Sequence, residues 1–458
     1  MTTQNQLLTP KLRYLHETYV GCFGNDITKW DTSAVTSMSY LFADYPGEIP
    51  DISKWNTKSV TNMEGMFTRY TGELPNLSKW DTSNVKNMKF LFCRCYHAKK
   101  FNIGNWNVKN VEQADYMFAY CYNITALRLT KWRFLNLKSA SFMFFFCVTL
   151  KTLKMDNWST PYLENMASMF SQCHDIEDID LTGLHTSRVK NMEYLFYSCS
   201  SLKSINLKKI DTRNVEDLSC AFDGCCAIEE LDLSHFDTRH VIFMKRTFSD
   251  CHSLKALDLS NFSTENVTTL KGLFEKCKSL EYLDLTSFDT RNVKDISYMC
   301  YGCKKLKAID VSSFKTTSVT DMSYTFAKCY SLMKIDLSNF NTENVKDMNS
   351  FFSDCFKLID VDVSHFNTTN VRNMSFMFRD CSSLVTLDLR SFNTCKCADV
   401  TSIFEDCNSL TSLKANEEVF AISDIYHNRN AFERCNSLNK KEKLVGLGCG
   451  KIITRFMI

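Results

Sequence analysis

Phenylalanine recurs in this chain at a fixed interval. Phe92, Phe118, Phe144, Phe170, Phe196, Phe222, Phe248 and Phe274, then Phe326, Phe352, Phe378 and Phe404, keep a step of 26 residues, with Cys300 in the one place not held by Phe. Phe42 and Phe67 carry the register back at a spacing of 25, and Phe432 closes it after 28. A period of this size marks one small structural unit repeated along the chain, each copy burying its apolar side against the next. The 458 residues therefore grow by adding coils and not by adding globular domains. The expectation is a capping segment at 1–26, a tandem solenoid of about fifteen coils at 27–410, and an atypical last repeat with its cap at 411–458.

The unit is legible in CHSLKALDLSNFSTENVTTLKGLFEKC, Cys251 to Cys277. Leu254, Leu257, Leu259 and Phe262 alternate with polar residues as a strand does. Val267, Leu270, Phe274 and Cys277 recur at three- and four-residue spacing, which predicts a short helical or 3₁₀ return. Strand, turn and helical return make an α/β solenoid of leucine-rich-repeat type, a right-handed stack with one parallel sheet. A second aromatic position holds Trp30, Trp55, Trp80, Trp106, Trp132 and Trp158, which are all six tryptophans. Leu184 and Ile210 follow, and Phe236, Phe262, Phe288, Phe314, Phe340, Phe366 and Phe392 complete it.

Only 13 Gly and 5 Pro accompany 22 Cys and 35 Phe. The register accounts for the cysteines: Cys95, Cys121, Cys147, Cys173, Cys199, Cys225, Cys251, Cys277, Cys303, Cys329, Cys355, Cys381, Cys407 and Cys435 follow their Phe (or Cys300) by three. A thiol there fills a small apolar space, and its weak S–H donor reaches a nearby carbonyl. Equivalent side chains in a stack point the same way, so their Cβ vectors do not converge on a disulfide. Cys93, Cys226, Cys395 and Cys397 stand beside ladder positions without the four ligands a zinc site needs, so no metal and no cofactor is expected. Cys22 and Cys449, near the ends, are expected to be exposed. Thr32, Thr57, Thr82, Thr160, Thr186, Thr212, Thr238, Thr264, Thr290, Thr316, Thr342, Thr368 and Thr394 form a turn ladder, often followed two residues on by Asn. Short polar side chains there satisfy turn N–H and C=O groups, which also fits the scarcity of Gly and Pro.

Segments such as YSLMKIDLSNFNTENVKDMNSFFSDC resemble the bacterial surface protein A-like (BspA-like) leucine-rich-repeat family, and WDTSNVKNMKFLF is similar to its tryptophan-bearing variant. The resemblance spans about residues 27–410. It implies a scaffold of the kind found in cell-surface or secreted proteins associated with adhesion and protein binding, with related repeats in some large DNA viruses. The N-terminal residues lack the basic and apolar regions of a signal peptide, and no apolar run approaches a membrane span. By sequence the chain is cytoplasmic, with surface display, atypical secretion or a virion as the alternatives the resemblance implies.

The charge balance, 54 Lys+Arg against 52 Asp+Glu, lacks the basic excess that nucleic-acid binding uses. The nine histidines share no motif with a nucleophile, and no phosphate-cradling loop is present, so no catalytic residue is assigned. One pattern is not required by packing. Between the inward residues of each strand stand Asp232, Asp258, Asp284, Asp310, Asp336, Asp362 and Asp388, flanked by Ser234, Ser260, Ser312, Ser338 and Ser364. Like charges about 5 Å apart across a parallel ladder repel. Either the hydroxyls and adjacent groups satisfy these carboxylates, or the row engages a basic or polyhydroxylated partner. The expected function is a non-enzymatic scaffold that binds a protein or glycan through this row. The alternative is a structural assembly module that associates through its ends or edges.

Overall fold

The computed structural model describes residues 26–416, 419, 420, 422 and 425–438. Residues 1–25 of the expected N-terminal cap, residues 439–458 of the expected C-terminal cap, Cys22 and Cys449 lie outside them. The chain divides into two compact units, Met1–Ile228 and Glu229–Ile458. Each is a β-solenoid whose coils are joined by parallel bridges one period apart. The rungs run Ser37, Asn62, Asn87, Gln113, Ser139, Asn165, Asn191 and Asp217 in the first unit. In the second they run Phe243, Thr269, Asp295, Asp321, Asp347, Asn373, Asp399 and His427, so the coil count among the described residues differs somewhat from fifteen.

The return arms are not helical. Among the described residues the one helical element bounded at both ends is a 3₁₀ turn at Ile27–Lys29, capped by the Asp26 carboxylate, and Ile422 alone is also 3₁₀. The three- and four-residue spacing has another origin, visible in the first coil. Met38, Tyr40, Phe42 and Asp44 donate their N–H groups to Asn62, Glu64, Met66 and Thr68 of the next coil at 2.8, 2.7, 2.8 and 3.0 Å. The residues between them, Leu41, Ala43 and Tyr45, bond back to Met38, Tyr40 and Phe42 instead. A chain that alternates reverse turns with bonds to its neighbour must enter the left-handed region twice per coil, here at Tyr40 (φ 56) and Asp44 (φ 54). The same pair of positions repeats through Asn430 and Arg434. Non-glycine residues hold 28 of these 32 positions and none is β-branched, as left-handed sterics require. Scarce glycine thus reflects strain of roughly 1–2 kcal/mol per residue, offset by the hydrogen bonds that the conformation permits.

The strands are short and pair in twos, so the expected single sheet is present only in pieces. In the first unit β1 (Ala126–Arg128) pairs with β2 (Thr152–Lys154), and β3 (Asp178–Asp180) with β4 (Ser204–Asn206). In the second, β5 (Tyr282–Asp284) pairs with β6 (Ala308–Asp310), and β7 (Thr386–Leu389) with β8 (Ser412–Ala415). All four pairs are parallel and in register one period apart.

Between the arms lie the ladders. Phe42 stacks on Phe67 at 5.7 Å, Phe118 on Phe144 at 5.5 Å and Phe170 on Phe196 at 5.5 Å. The second unit repeats this from Phe248–Phe274 at 5.9 Å to Phe404–Phe432 at 5.2 Å. Each of these rings except the half-buried Phe432 is buried, a gain of about 1.5–3 kcal/mol per side chain over exposure. In the Trp column, Trp30–Trp55 and Trp55–Trp80 both stack at 6.4 Å. Five of the indoles also have a polar task. Trp55, Trp80, Trp106, Trp132 and Trp158 donate Nε1–H to the carbonyls of Ile27, Ile52, Leu77, Ile103 and Leu129 at 2.9, 3.1, 3.0, 3.1 and 3.2 Å.

Phenylalanine cannot make that bond, and in four coils of the second unit the preceding residue supplies the donor instead. Asn261, Ser287, Ser313 and His365 bond the register-equivalent carbonyls of Leu233, Leu259, Leu285 and Leu337 at 3.1, 2.9, 3.0 and 3.0 Å. Each stands directly before a ladder Phe. The two subtypes of coil are two answers to one buried carbonyl. Trp132→Phe should therefore lower stability in urea, and Lys131→Ser added to it should recover about 1 kcal/mol by restoring the donor. A double variant no more stable than Trp132→Phe would show that the preceding residue does not compensate.

Candidate functional site: the outward strand row

The seven expected carboxylates all lie in the second unit, on the outward side of the strand arm. Asp232, Asp258, Asp284, Asp336 and Asp362 are exposed, while Asp310 and Asp388 are half-buried. Each accepts the backbone N–H two residues on. The distances are 3.1 Å from Ser234, 2.9 Å from Ser260, 2.9 Å from Thr286, 3.0 Å from Ser312, 2.9 Å from Ser338, 2.9 Å from Ser364 and 3.2 Å from Arg390. The Ser234 and Thr286 hydroxyls add bonds of 2.7 Å to Asp232 and Asp284. The carboxylates cap their own turns, and the serine row supplies the donors.

At several of these positions the bonds favour the ionised form. Asp284 and Asp362 lie below the usual carboxylate range chiefly because of side-chain bonds from Thr286 and Ser364, and Asp258 and Asp336 chiefly because of the backbone bonds from Ser260 and Ser338. Repulsion from a neighbouring Asp is a minor opposing cause, so the stack of like charges is tolerated. The row ends in cations. Asp388 is lowered first by Arg390, whose Nη2 approaches to 2.6 Å, and its register partner in the next coil is Lys414. Among the described residues no group of three or more His, Cys, Asp or Glu side chains is arranged to hold a metal ion.

The repeat that displays this row matches a family profile in five overlapping stretches, residues 12–132, 121–230, 199–309, 268–363 and 324–444. Its description is "Mycoplasma protein of unknown function, DUF285". The chain belongs to the DUF285 family. No curated protein matches it in sequence. Among solved structures the DUF285 chain is similar to a leucine-rich repeat protein from Bacteroides ovatus, with 17% identity over 74% of this chain and 81% of that one, at a TM-score of 0.39. It is also similar to a leucine-rich repeat protein from Eubacterium ventriosum, with 16% identity, coverage of 73% and 88%, and a TM-score of 0.35. A leucine rich cell surface protein from Faecalibacterium prausnitzii shares 11% identity over 83% of each chain at 0.24.

The DUF285 coils carry a second outward row that the period alone does not single out. Three residues before each Asp, early coils of the second unit alternate in charge, and Lys255 bonds Glu229 at 2.5 Å and Lys307 bonds Glu281 at 2.6 Å. The next three coils place Met333, Ile359 and Val385 there, exposed by 46%, 45% and 39%. Ile359 N–H bonds the Met333 carbonyl and Val385 N–H the Ile359 carbonyl, so the three are stacked neighbours. Phe356 is exposed close by in sequence and packs on Tyr330 at 4.9 Å. The signal was the break in charge alternation along one register position.

The cysteine ladder stays in the core. Cys95, Cys173 and Cys303 Sγ lie 3.1, 3.2 and 3.1 Å from the carbonyls of Phe67, Phe144 and Phe274, and the pattern holds in other coils. Burial pushes the Cys199 thiol up to about 12 and raises Cys121, Cys147, Cys173 and Cys381 well above the usual thiol range. The threonines bridge coils too: Thr290 and Thr316 donate to the carbonyls of Lys315 and Asn341 at 3.1 and 2.7 Å and accept the same residues' N–H groups at 2.7 and 2.8 Å.

At pH 8 a thiol reagent should label exposed Cys395 rapidly and the ladder only after denaturation, when all 22 thiols react. Rapid native labelling of most thiols would contradict the buried ladder. A lowered carboxyl stabilises the fold above its unfolded pKa of about 3.9 and loses that contribution as pH falls through the folded value. Asp347, Asp380 and Glu193, raised by burial, act in the opposite sense but are fewer. The urea midpoint should hold from pH 7 to 5 and fall below about pH 4. A midpoint constant down to pH 3 would remove the turn-capping role.

Proposed function

We propose that the chain is a non-enzymatic interaction scaffold whose second unit engages a polypeptide carrying interleaved apolar and basic side chains. The observation that carries this reading is the pairing of Met333, Ile359 and Val385 with Asp336, Asp362 and Asp388, each carboxylate three residues beyond its apolar neighbour. Exposed apolar side chains stacked in consecutive coils form a contiguous patch, which a soluble surface ordinarily avoids unless something covers it. Ionised carboxylates along its edge favour cations and steer their approach. A glycan would use the hydroxyls and carboxylates but would gain less from the aliphatic row. The reading of an assembly module joined through its ends depends on segments outside the described residues, and no observation favours it. Among the described residues no helix is long and apolar enough to cross a membrane.

Selection of displayed peptides on the intact chain tests this. Enriched peptides should combine Lys or Arg with Leu, Phe or Tyr. Ile359→Asp should weaken their binding about tenfold or more without lowering the melting temperature. Asp336→Asn together with Asp362→Asn should weaken it less and flatten its dependence on salt. Peptides without basic residues, or affinities that none of these changes alters, would overturn the proposal. Light scattering at rising concentration adds a check: lengthening assemblies of the peptide-free chain, abolished by Ile359→Asp, would make a second copy the occupant.

A further inference from the structure

An aromatic column climbs the return arms of the first unit at the first left-handed position of each coil. Phe90 stacks on Tyr116 at 5.0 Å and Tyr116 on Phe142 at 4.5 Å, with planes 17° and 3° apart. The next residue in register is Ser168, and the one after it is Tyr194. One ring is missing from the column. Two coil steps, about 9–10 Å, separate Phe142 from Tyr194, which is twice the ring-to-ring spacing below. The gap is an open cavity of about 440 Å³, within the range of about 300–1,000 Å³ usual for ligand sites. Ala167, Ser168 and Ser171 lie buried at its base, and Tyr194 at its edge is 37% exposed.

Two other interruptions of the column, both at glycine, are filled by the protein itself. At Gly65, between Tyr40 and Phe90, a Cβ would collide with the Tyr40 ring, which already lies across that place. At Gly272 the Arg246 side chain crosses in the same way, held by Glu275 at 2.7 Å. At Ser168 the space stays open, lined by Phe142 from one side in register and Tyr194 from the other, with Phe145 and Tyr197 beside them. The polar lining indicates what the ring carries. No Lys or Arg lines the cavity, which disfavours a phosphate-bearing nucleobase, whereas the half-buried Glu193 carboxylate does line it. The Asn165 and Asn191 side-chain oxygens already accept the N–H groups of Ala167 and Glu193 at 3.0 and 2.8 Å, so Glu193 offers the stronger acceptor.

We propose that this gap receives a tryptophan side chain of a partner polypeptide, its indole stacked between Phe142 and Tyr194 with the ring N–H directed to Glu193. The arrangement completes the column with a ring from outside, and the offset stacking already present below sets the plane it must take. It lies in the first unit and shares no residue with the strand row, so the two readings fail separately.

The probe is N-acetyl-5-fluorotryptophan amide, followed by fluorine NMR with the full chain, with its 1-methylindole analogue and adenosine monophosphate as the other arms. The indole probe should bind saturably. Ser168→Tyr supplies the missing ring at a backbone position (φ 55) where Tyr116 (φ 56) and Tyr194 (φ 55) already sit in the same conformation. It should weaken the probe about tenfold or more while leaving the melting temperature unchanged or higher. Tyr194→Ala should weaken it by removing one wall, and Glu193→Gln should narrow the preference for indole over its methylated analogue. Absence of binding, binding indifferent to Ser168→Tyr, or adenosine monophosphate bound as tightly as the indole would each overturn the assignment.

Discussion

Every coil of this chain must find partners for backbone groups that neither a helix nor a long strand satisfies, and the next coil supplies them. The return arm does so directly, alternate N–H groups crossing to the neighbour while the residues between close reverse turns. The two left-handed residues per coil are the geometric condition for that alternation. The ladders extend the same accounting with side chains. Cysteine thiols, indole N–H groups, turn threonines and asparagines such as Asn266, which donates to Arg239 at 2.8 Å, all end on a carbonyl of an adjacent coil. Apolar burial packs the interior, but the partner assigned to each carbonyl fixes which residue type repeats at each register position.

This explains what was legible in the sequence and what was not. The period, the inward ladders and the thiol-to-carbonyl bond follow from spacing and residue chemistry, because each recurs often enough to define a position. The spacing of Val267, Leu270, Phe274 and Cys277 does not separate a helical return from a turned one, because successive reverse turns bring residues inward at the same intervals as a helix does. Periodicity reports which residues are buried, not which carbonyl an N–H bonds. The single sheet was over-read for a related reason: alternation in L-D-L persists in coils whose strands are not paired. The substitution of Asn261 or Ser287 for an indole N–H was visible as letters, yet its meaning depended on knowing that Leu233 and Leu259 expose a carbonyl to that spot.

The Asp and Ser row was legible as a position, and the structure shows how it is held. The carboxylates are internally satisfied by N–H groups two residues on, yet they remain outward and ionised. Structural and binding roles are compatible here, since capping uses one carboxylate oxygen and leaves the charge facing solvent. The aromatic column runs in both units, with Tyr298 stacked on Tyr324 at 4.6 Å in the second, while the acidic row with its aliphatic neighbours lies in the second.

From each Trp-column residue to the Phe (or Cys300) that follows in its coil the distance is always twelve residues, from Trp30–Phe42 through Phe392–Phe404, and Phe420, edge-on to Phe392, keeps it to Phe432. From each Phe to the next column residue it is 13 in the first two coils, 14 afterwards and 16 at the last step. All length variation is thus confined to the arm that carries the strands and the outward row. The return arm admits none, because one residue more or less would put every N–H out of phase with its carbonyl. In lineages that duplicate or exchange coils, the displaying arm is free to drift in length and composition while the return arm keeps the copies interchangeable. The surface can therefore be rewritten coil by coil without renegotiating the core.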